Sequence, residues 1–289
     1  LIWVSTMRID KIIKDRKAHV SFEIFPPKQD MEFEAIGSFI SQIASLSPDF
    51  ISVTYGAGGK GPRGKTVQIA SMIKDSGIES LAHLTCIGSR RADIAEISDS
   101  LKKSGIENIL ALRGDIPIDR PSDGDYKYAK DLIADLDCNS FCIGAAAYPE
   151  GHINCESMED NIEYLYKKEQ AGASFFITQL FFDNRVYYEF REKAAARGIK
   201  SPIIPGIMPM MSRAQVERMI FMCAVSLPSK IIKLLNKYAD DPQGLHKAGI
   251  EQAVSQMTDL MDNGSGGVHV YTMNKFDIAQ AAMEALDVY

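Results

Sequence analysis

Short runs of β-branched and aromatic residues recur along the chain, at Val20–Phe25, Phe50–Tyr55, Leu81–Cys86, Asn108–Leu112, Phe141–Ala147, Phe175–Phe181, Ile203–Ile207 and Val268–Tyr271. The first seven begin roughly 30 residues apart, the length of one βα unit. Most are apolar on successive residues, the pattern of parallel strands covered on both faces. Between the runs the apolar positions switch to helical spacing. Helices are predicted over Met31–Leu46, Val67–Lys74, Ile94–Lys103, Met158–Gln170 and Val186–Ala196. Gly105, Gly172 and Gly198 follow three of them and suit helix C-caps. The interval between the last two runs is about twice the usual beat and holds three more helical patterns, Ala214–Ala224, Ser229–Tyr238 and Gly244–Met261. Asp277–Leu286 closes the chain. The pattern predicts an α/β fold, a (β/α)8 TIM barrel with extra helices between strands 7 and 8. An open, doubly wound sheet is the alternative. No linker divides the chain, so residues 1–289 read as a single catalytic barrel domain, with 1–6 as an N-terminal extension.

Composition narrows the class. At 289 residues, 46% hydrophobic and 24% charged, the chain can bury a full core and is not a disordered protein. The net charge of −6, from 32 basic and 38 acidic residues, excludes a broad basic footprint for nucleic acid. Cys86, Cys138, Cys142, Cys155 and Cys223 are odd in number and include no CxxC pair, so neither a disulfide framework nor a metal site is expected. No run approaches a membrane span. A cytoplasmic location is the expectation.

A TIM barrel carries its chemistry at the C-terminal ends of its strands. Glu23, Thr54, His83, Arg113, Gly114, Asp115, Tyr148, Gln179, Pro205, Gly206 and Tyr271 lie in or just after the eight runs. Polar groups inside apolar strands are costly unless partnered, and so many at one end point to a shared pocket. Glu23 stands between Phe22 and Ile24, ahead of Phe25 and two prolines. An apolar setting raises a carboxyl pKa and suits a general acid; a salt-bridged strand residue is the bland reading. His83 reads equally as a hydrogen-bonded core histidine, and Gln179 as a satisfied core amide. Gly59-Lys-Gly-Pro-Arg-Gly64-Lys65-Thr66 fits the P-loop pattern of a nucleoside triphosphatase. Against it, the segment does not leave its strand directly, and Pro62 removes an N–H from a loop whose task is to present N–H groups. No GxGxxG follows a strand, so a Rossmann site is absent by pattern.

Taken in order, eight segments resemble the methylenetetrahydrofolate reductase family in its bacterial, barrel-only form: Phe22-Glu-Ile-Phe-Pro-Pro27, Val53-Thr-Tyr-Gly-Ala57, Ala82-His-Leu-Thr-Cys86, Ala111-Leu-Arg-Gly-Asp115, Ala146-Ala-Tyr-Pro-Glu150, Ile177-Thr-Gln179 with Phe181-Phe-Asp183, Ile204-Pro-Gly-Ile207 and Tyr271-Thr-Met-Asn274. The resemblance implies a noncovalent FAD at the strand ends. It implies hydride passage from NADH, NADPH or another donor, through the flavin, to 5,10-methylenetetrahydrofolate, giving 5-methyltetrahydrofolate in a ping-pong scheme. It implies Glu23 as general acid and Asp115 as a carboxylate near the flavin and pterin, both also touching substrate. Gln179 and Gln215 fall at folate-contacting positions. Thr54, His83, Arg113, Gly114, Asp115, Ala129, Tyr148, His152, Asn161, Lys167 and Lys168 fall at FAD-contacting positions, the two lysines at the pyrophosphate. A homo-oligomer is expected.

Four positions depart from the family pattern. Met219 stands where a stacking phenylalanine is frequent, and Lys275 where an arginine meets the folate tail. Asn161 and Tyr164 replace an aspartate and an asparagine near the adenosine. Some family members work beside a partner subunit, which leaves electron transfer from such a partner as the alternative to direct use of NAD(P)H.

Overall fold

The structure, a computed structural model, describes residues 7–27, 33–55, 63–115 and 123–286. Its strands are β1 (His19–Ile24), β2 (Phe50–Val53), β3 (Glu79–Thr85), β4 (Asn108–Leu112), β5 (Cys142–Ala147), β6 (Phe175–Thr178), β7 (Ile203–Ile204), β8 (Gly206–Ile207) and β9 (Gly267–Tyr271). All pairings are parallel, in the order β7-β6-β5-β4-β3-β2-β1-β9-β8. β7 and β8 are the two halves of the seventh predicted strand, split at Pro205. β7 pairs with β6 and β8 with β9, so the ring closes through that residue. Proline cannot donate to a ladder, but the Pro205 carbonyl still accepts from the His269 N–H at 2.9 Å. This is the predicted barrel.

Side chains alternate across each strand. On β1, Val20, Phe22 and Ile24 join the main core between sheet and helices, whereas His19, Ser21 and Glu23 face the barrel interior. The helices are α1 (Ile9–Asp15), α2 (Phe33–Ala44), α3 (Arg63–Asp75), α4 (Arg91–Lys103), α5 (Ala129–Asp135), α6 (Met158–Gln170), α7 (Asn184–Arg197), α8 (Arg213–Cys223), α9 (Ser229–Lys237), α10 (Pro242–Asp262) and α11 (Phe276–Leu286). Most predicted helices are found within a few residues of their expected bounds. The caps explain the starts: the Ser157 hydroxyl accepts from Asp160 N–H at α6, Ser212 from Gln215 N–H at α8, and Asp241 from Gly244 N–H at α10. α7 ends on Gly198 at φ 93°, as its glycine suggested.

Two helices are additions to the predicted set. α1 closes the N-terminal end of the barrel, where Ile9 and Ile12 pack on Phe50, Leu81, Leu110, Cys142 and Phe175. Each buried isoleucine contributes about 1.5–3 kcal/mol. The Ile9 N–H donates to Asn108 Oδ1 at 2.9 Å, which fixes the plug to β4. α5 begins after Tyr128, whose N–H donates to the Asp131 carboxylate at 2.9 Å. The inserted helices α8 and α9 and the start of α10 bury Val216, Ile231 and Leu235 with Leu245, against Leu180, Phe182, Met208 and Met210. They form a shelf beside the C-terminal mouth, which α1 leaves as the barrel's open end. Residues 1–6, read as an extension, lie outside the described residues, as do residues 59–62 of the P-loop-like segment.

Candidate active site

Two cavities open at the C-terminal mouth and share Leu112, Arg113, Ala146, Tyr148 and His152. The central cavity, about 320 Å³, sits over the barrel axis. Glu23 from β1, His83 from β3 and Tyr271 from β9 line it, with Thr54, Arg113, Gly114, Asp115, Tyr148 and Gln179 from the loops and strand ends that follow β2, β4, β5 and β6. The outer cavity, about 390 Å³, is bounded by Tyr128, Ala129 and Lys130 at the start of α5, by Asn154 and Cys155, and by Asn161, Tyr164 and Lys168 of α6.

Glu23 is 7% exposed. Burial pushes its carboxyl pKa up, and nearby His83 only partly offsets this. His83 Nε2 lies 3.5 Å from Glu23 Oε2, and His269 Nε2 lies 3.9 Å from the same oxygen. Burial lowers the His83 pKa to about 4 and that of His269 to about 3. Desolvation therefore favours the neutral form of all three groups, a protonated carboxylic acid beside two neutral imidazoles. That is the protonation state a general acid needs at neutral pH. His83 Nε2 is buried without a hydrogen bond. Tyr271 donates its hydroxyl to the Thr178 carbonyl at 2.6 Å, and Gly206 lets the two meet, because a Cβ there would collide with both the Thr178 carbonyl and the Tyr271 hydroxyl.

The outer cavity carries a half-buried ammonium, that of Lys168. Lys168 Nζ donates to the Ala146 carbonyl at 2.7 Å and lies 5.3 Å from the Tyr148 ring centre. Burial lowers its pKa to about 8, which leaves it mostly charged at neutral pH. Asn161 Nδ2 donates to the Tyr148 carbonyl at 2.8 Å, so this side chain shapes the wall. Tyr148 and His152 meet edge to face at 4.7 Å, and burial raises the Tyr148 pKa to about 12.

Of the residues singled out in the sequence, Glu23, Thr54, His83, Arg113, Gly114, Asp115, Ala129, Tyr148, His152, Asn161, Lys168 and Gln179 line one or both cavities. Four do not. Lys167 lines neither cavity; its Nζ lies 3.8 Å from Glu163 and 5.4 Å from the centre of the Tyr164 ring, which does line the outer one. Gln215 turns inward on its own helix start, where Oε1 accepts from Met211 N–H at 2.6 Å. Met219 packs on the shelf cluster, and Lys275 is exposed after β9. Burial, and after it the Asp115 charge, nevertheless raises the Cys223 pKa, so the end of α8 is within electrostatic reach of the central cavity. Sequence reasoning missed Tyr128, Lys130, Asn154 and Cys155, which lie between strands and carry no periodic signal. It also missed His269, hidden between two valines of a strand. Thr66, the last residue of the P-loop-like pattern, is buried, and its Oγ1 donates to the Thr54 carbonyl at 3.3 Å.

A parallel barrel with a buried acid and a cation-bearing cleft at its C-terminal mouth defines a TIM-barrel enzyme acting on small molecules. The family description Methylenetetrahydrofolate reductase matches residues 8–287. The 5,10-methylenetetrahydrofolate reductase of Pectobacterium carotovorum is 37% identical over 94% of this chain and 91% of its own. That of Escherichia coli K12 is 36% identical over 93% and 91%. The chain belongs to the methylenetetrahydrofolate reductase family and is an enzyme of that class. A solved structure of an uncharacterized protein from Clostridium thermocellum, described as binding two copies of 5-methyl-5,6,7,8-tetrahydrofolic acid, shares the fold at TM-score 0.69 and 16% identity, over 98% of this chain and 99% of that one. Among the described residues, no helix is long and apolar enough to cross a membrane.

Proposed function

We propose that the whole chain acts as one catalytic barrel that reduces 5,10-methylenetetrahydrofolate to 5-methyltetrahydrofolate with a bound FAD, in a ping-pong cycle in the cytoplasm. The observation that carries this reading is Glu23, a buried carboxyl whose pKa burial raises, at the floor of a cleft of cofactor dimensions. The residues fit a flavin dinucleotide on their chemistry. The central cavity offers a flat slot beside the small Ala146 and the side-chain-free Gly114, with the unpartnered His83 Nε2 on one wall. The outer cavity offers the half-buried Lys168 ammonium for a pyrophosphate and aromatic walls at Tyr128 and Tyr164 for a purine. In this reading Thr54, His83, Arg113, Gly114 and Asp115 hold the ring portion. Ala129, Tyr148, His152, Asn161 and Lys168 hold the remainder.

FAD, when bound, supplies the hydride carriage between donor and folate. The chain's own groups do the rest. Glu23 holds a proton on its carboxyl and delivers it to the folate nitrogen that must leave as the methylene bridge opens. Asp115 keeps a negative charge at the rim of the ring slot and opposes a second negative charge there. Gln179, whose Oε1 accepts from Leu180 N–H at 2.9 Å, presents its amide toward the pterin. Stopped-flow mixing of the reduced holoenzyme with methylenetetrahydrofolate, in the unmodified chain and in Glu23→Gln, tests the reading.

NAD(P)H is the donor in this scheme. Electron delivery by a partner subunit is the second reading. It draws support from α8, where Met219 replaces an aromatic platform and Phe221 beside it is 81% exposed. Anaerobic bleaching by NADH of the isolated chain separates the two.

A further inference from the structure

His269 belongs to the interior of the barrel, one layer below Glu23, and is fully buried. It cannot touch folate or a dinucleotide from there, so its polar contacts need another explanation. Its Nδ1 lies 2.8 Å from Ser21 Oγ, and its Nε2 lies 3.2 Å from Ser52 Oγ and 3.9 Å from Glu23 Oε2. Ser21 Oγ in turn donates to the Val268 carbonyl at 3.2 Å.

Only one proton arrangement satisfies all of these contacts. If the Ser21 hydroxyl hydrogen goes to the Val268 carbonyl, Ser21 Oγ must accept from His269, so Nδ1 carries the hydrogen. Nε2 is then a lone pair that accepts from the Ser52 hydroxyl, and no buried hydrogen is left idle. The opposite tautomer would spend the Ser52 oxygen as an acceptor and leave its hydroxyl hydrogen without a partner. The chain of contacts ends on a backbone carbonyl and has no exit to solvent. It can therefore fix a tautomer but cannot conduct protons.

We propose that Ser21 and Ser52 lock His269 as the neutral Nδ1–H tautomer, and that His269 is a positioning residue which keeps Glu23 protonated by facing it with a lone pair instead of an N–H. At 3.9 Å from Glu23 Oε2, beyond hydrogen-bond reach, an Nε2–H would still place its positive end near the carboxyl, favour the carboxylate and lower its pKa. The lock withholds that donor. Of the other groups around Glu23 and His269, His83 alone works the other way, partly offsetting the rise in the Glu23 pKa. His83 from β3 is held neutral by burial. Tyr271 from β9 stays protonated, its pKa raised by burial and then by Glu23. Phe50 stacks on the His269 ring at 5.8 Å and adds no charge. His19, below it on β1, has its pKa lowered to about 4 and is neutral at working pH.

The proposal rests on the reading of Glu23 as the acid, but its test does not need catalysis. In protein labelled with ¹⁵N at histidine, the His269 ring should report Nδ1–H and a bare Nε2 between pH 5 and 8. In infrared difference spectra, the protonated-carboxyl band absent from Glu23→Gln should persist to neutral pH. Ser21→Ala removes the Nδ1 acceptor, so the ring should convert to Nε2–H. The Glu23 titration should then fall by a fraction of a pH unit, because the N–H dipole acts across 3.9 Å and not through a hydrogen bond. Ser21→Ala with His269→Phe should reverse that fall, because no ring nitrogen remains to donate. A charged or Nε2–H ring in the unmodified protein overturns the proposal, as does a Glu23 titration that Ser21→Ala leaves unmoved. Failure of Glu23→Gln to slow folate reduction would instead remove the acid reading and leave the tautomer result standing.

Discussion

The Nε2 atom of His83 lies 3.5 Å from Oε2 of Glu23, at the floor of the central cavity. Such a pair on a surface would be an ion pair. Here both members are almost fully buried, and the cost of burying two charges exceeds what their attraction returns unless further hydrogen bonds complete them. His83 Nε2 has none. Burial therefore pushes both members toward their neutral forms, raising the Glu23 pKa and lowering that of His83.

Glu23→Gln keeps the shape of the cavity floor and removes the proton. Reduction of the holoenzyme by its donor should survive. Reoxidation by methylenetetrahydrofolate should fall by about two orders of magnitude or more, the usual scale of general acid catalysis. Stopped-flow absorbance of the two half-reactions checks this. Equal loss in both would make Glu23 a structural residue.

Asp115→Asn removes a carboxylate from the rim of the central cavity. Without that charge, negative charge on the reduced ring system is less opposed, so the midpoint potential of the bound flavin should rise and hydride delivery to folate should slow. Spectroelectrochemical titration reads the potential. An unchanged or lower value would show that Asp115 is remote from the ring.

Adjacent lysines on α6 separate sharply. Lys168 turns into the outer cavity, whereas Lys167 pairs outward with Glu163. Lys168→Met should weaken FAD retention at least tenfold in Kd, the order of losing one charge-assisted hydrogen bond. Lys167→Met should change it less than twofold. Flavin fluorescence on dilution measures both, and equal effects would move the pyrophosphate away from Lys168.

The sequence made the strands legible because each is a short apolar run set off by helical spacing. α6 was legible to the residue because its apolar positions keep helical spacing and Gly172 follows its last turn. α1 was not, since a seven-residue helix with Ile9 and Ile12 as its buried positions shows too little periodicity; its stability comes from the barrel floor it plugs. α5 is as short and went unseen for the same reason. Pro205 splits the seventh strand in two, yet the ring still closes on either side of it. At the site, strand-end polarity found Glu23, His83 and Gln179, because a polar residue in an apolar run stands out. Periodicity could not say which of Lys167 and Lys168 faces inward, and it could not show that His269 sits beneath Glu23. Those facts depend on which strands meet across the barrel.

Acid should unfold the protein through its buried histidines. Burial lowers the folded-state pKa of His19 and His83 to about 4 and of His269 to about 3, against 6.5 for the ordinary side chain. The unfolded chain binds more protons below pH 6.5, so the stabilisation is complete above 6.5 and is lost as the pH falls toward 3–4. For His19 the loss is on the order of 3 kcal/mol. Glu23 acts oppositely: its raised pKa stabilises the fold below its ordinary 4.5, and that contribution is lost as the pH rises. Urea denaturation between pH 7 and 4 should show falling stability, with a shallower slope in His19→Phe. A flat profile would mean that the histidines are not buried as neutral groups.

The most direct test of the account is an anaerobic titration of the purified chain, first with NADH and then with 5,10-methylenetetrahydrofolate, followed by visible absorbance. The account predicts a yellow protein whose absorbance bleaches on reduction and returns when the folate is added, with 5-methyltetrahydrofolate as product. A protein that binds no FAD, or whose reduced flavin the folate leaves bleached, would contradict it.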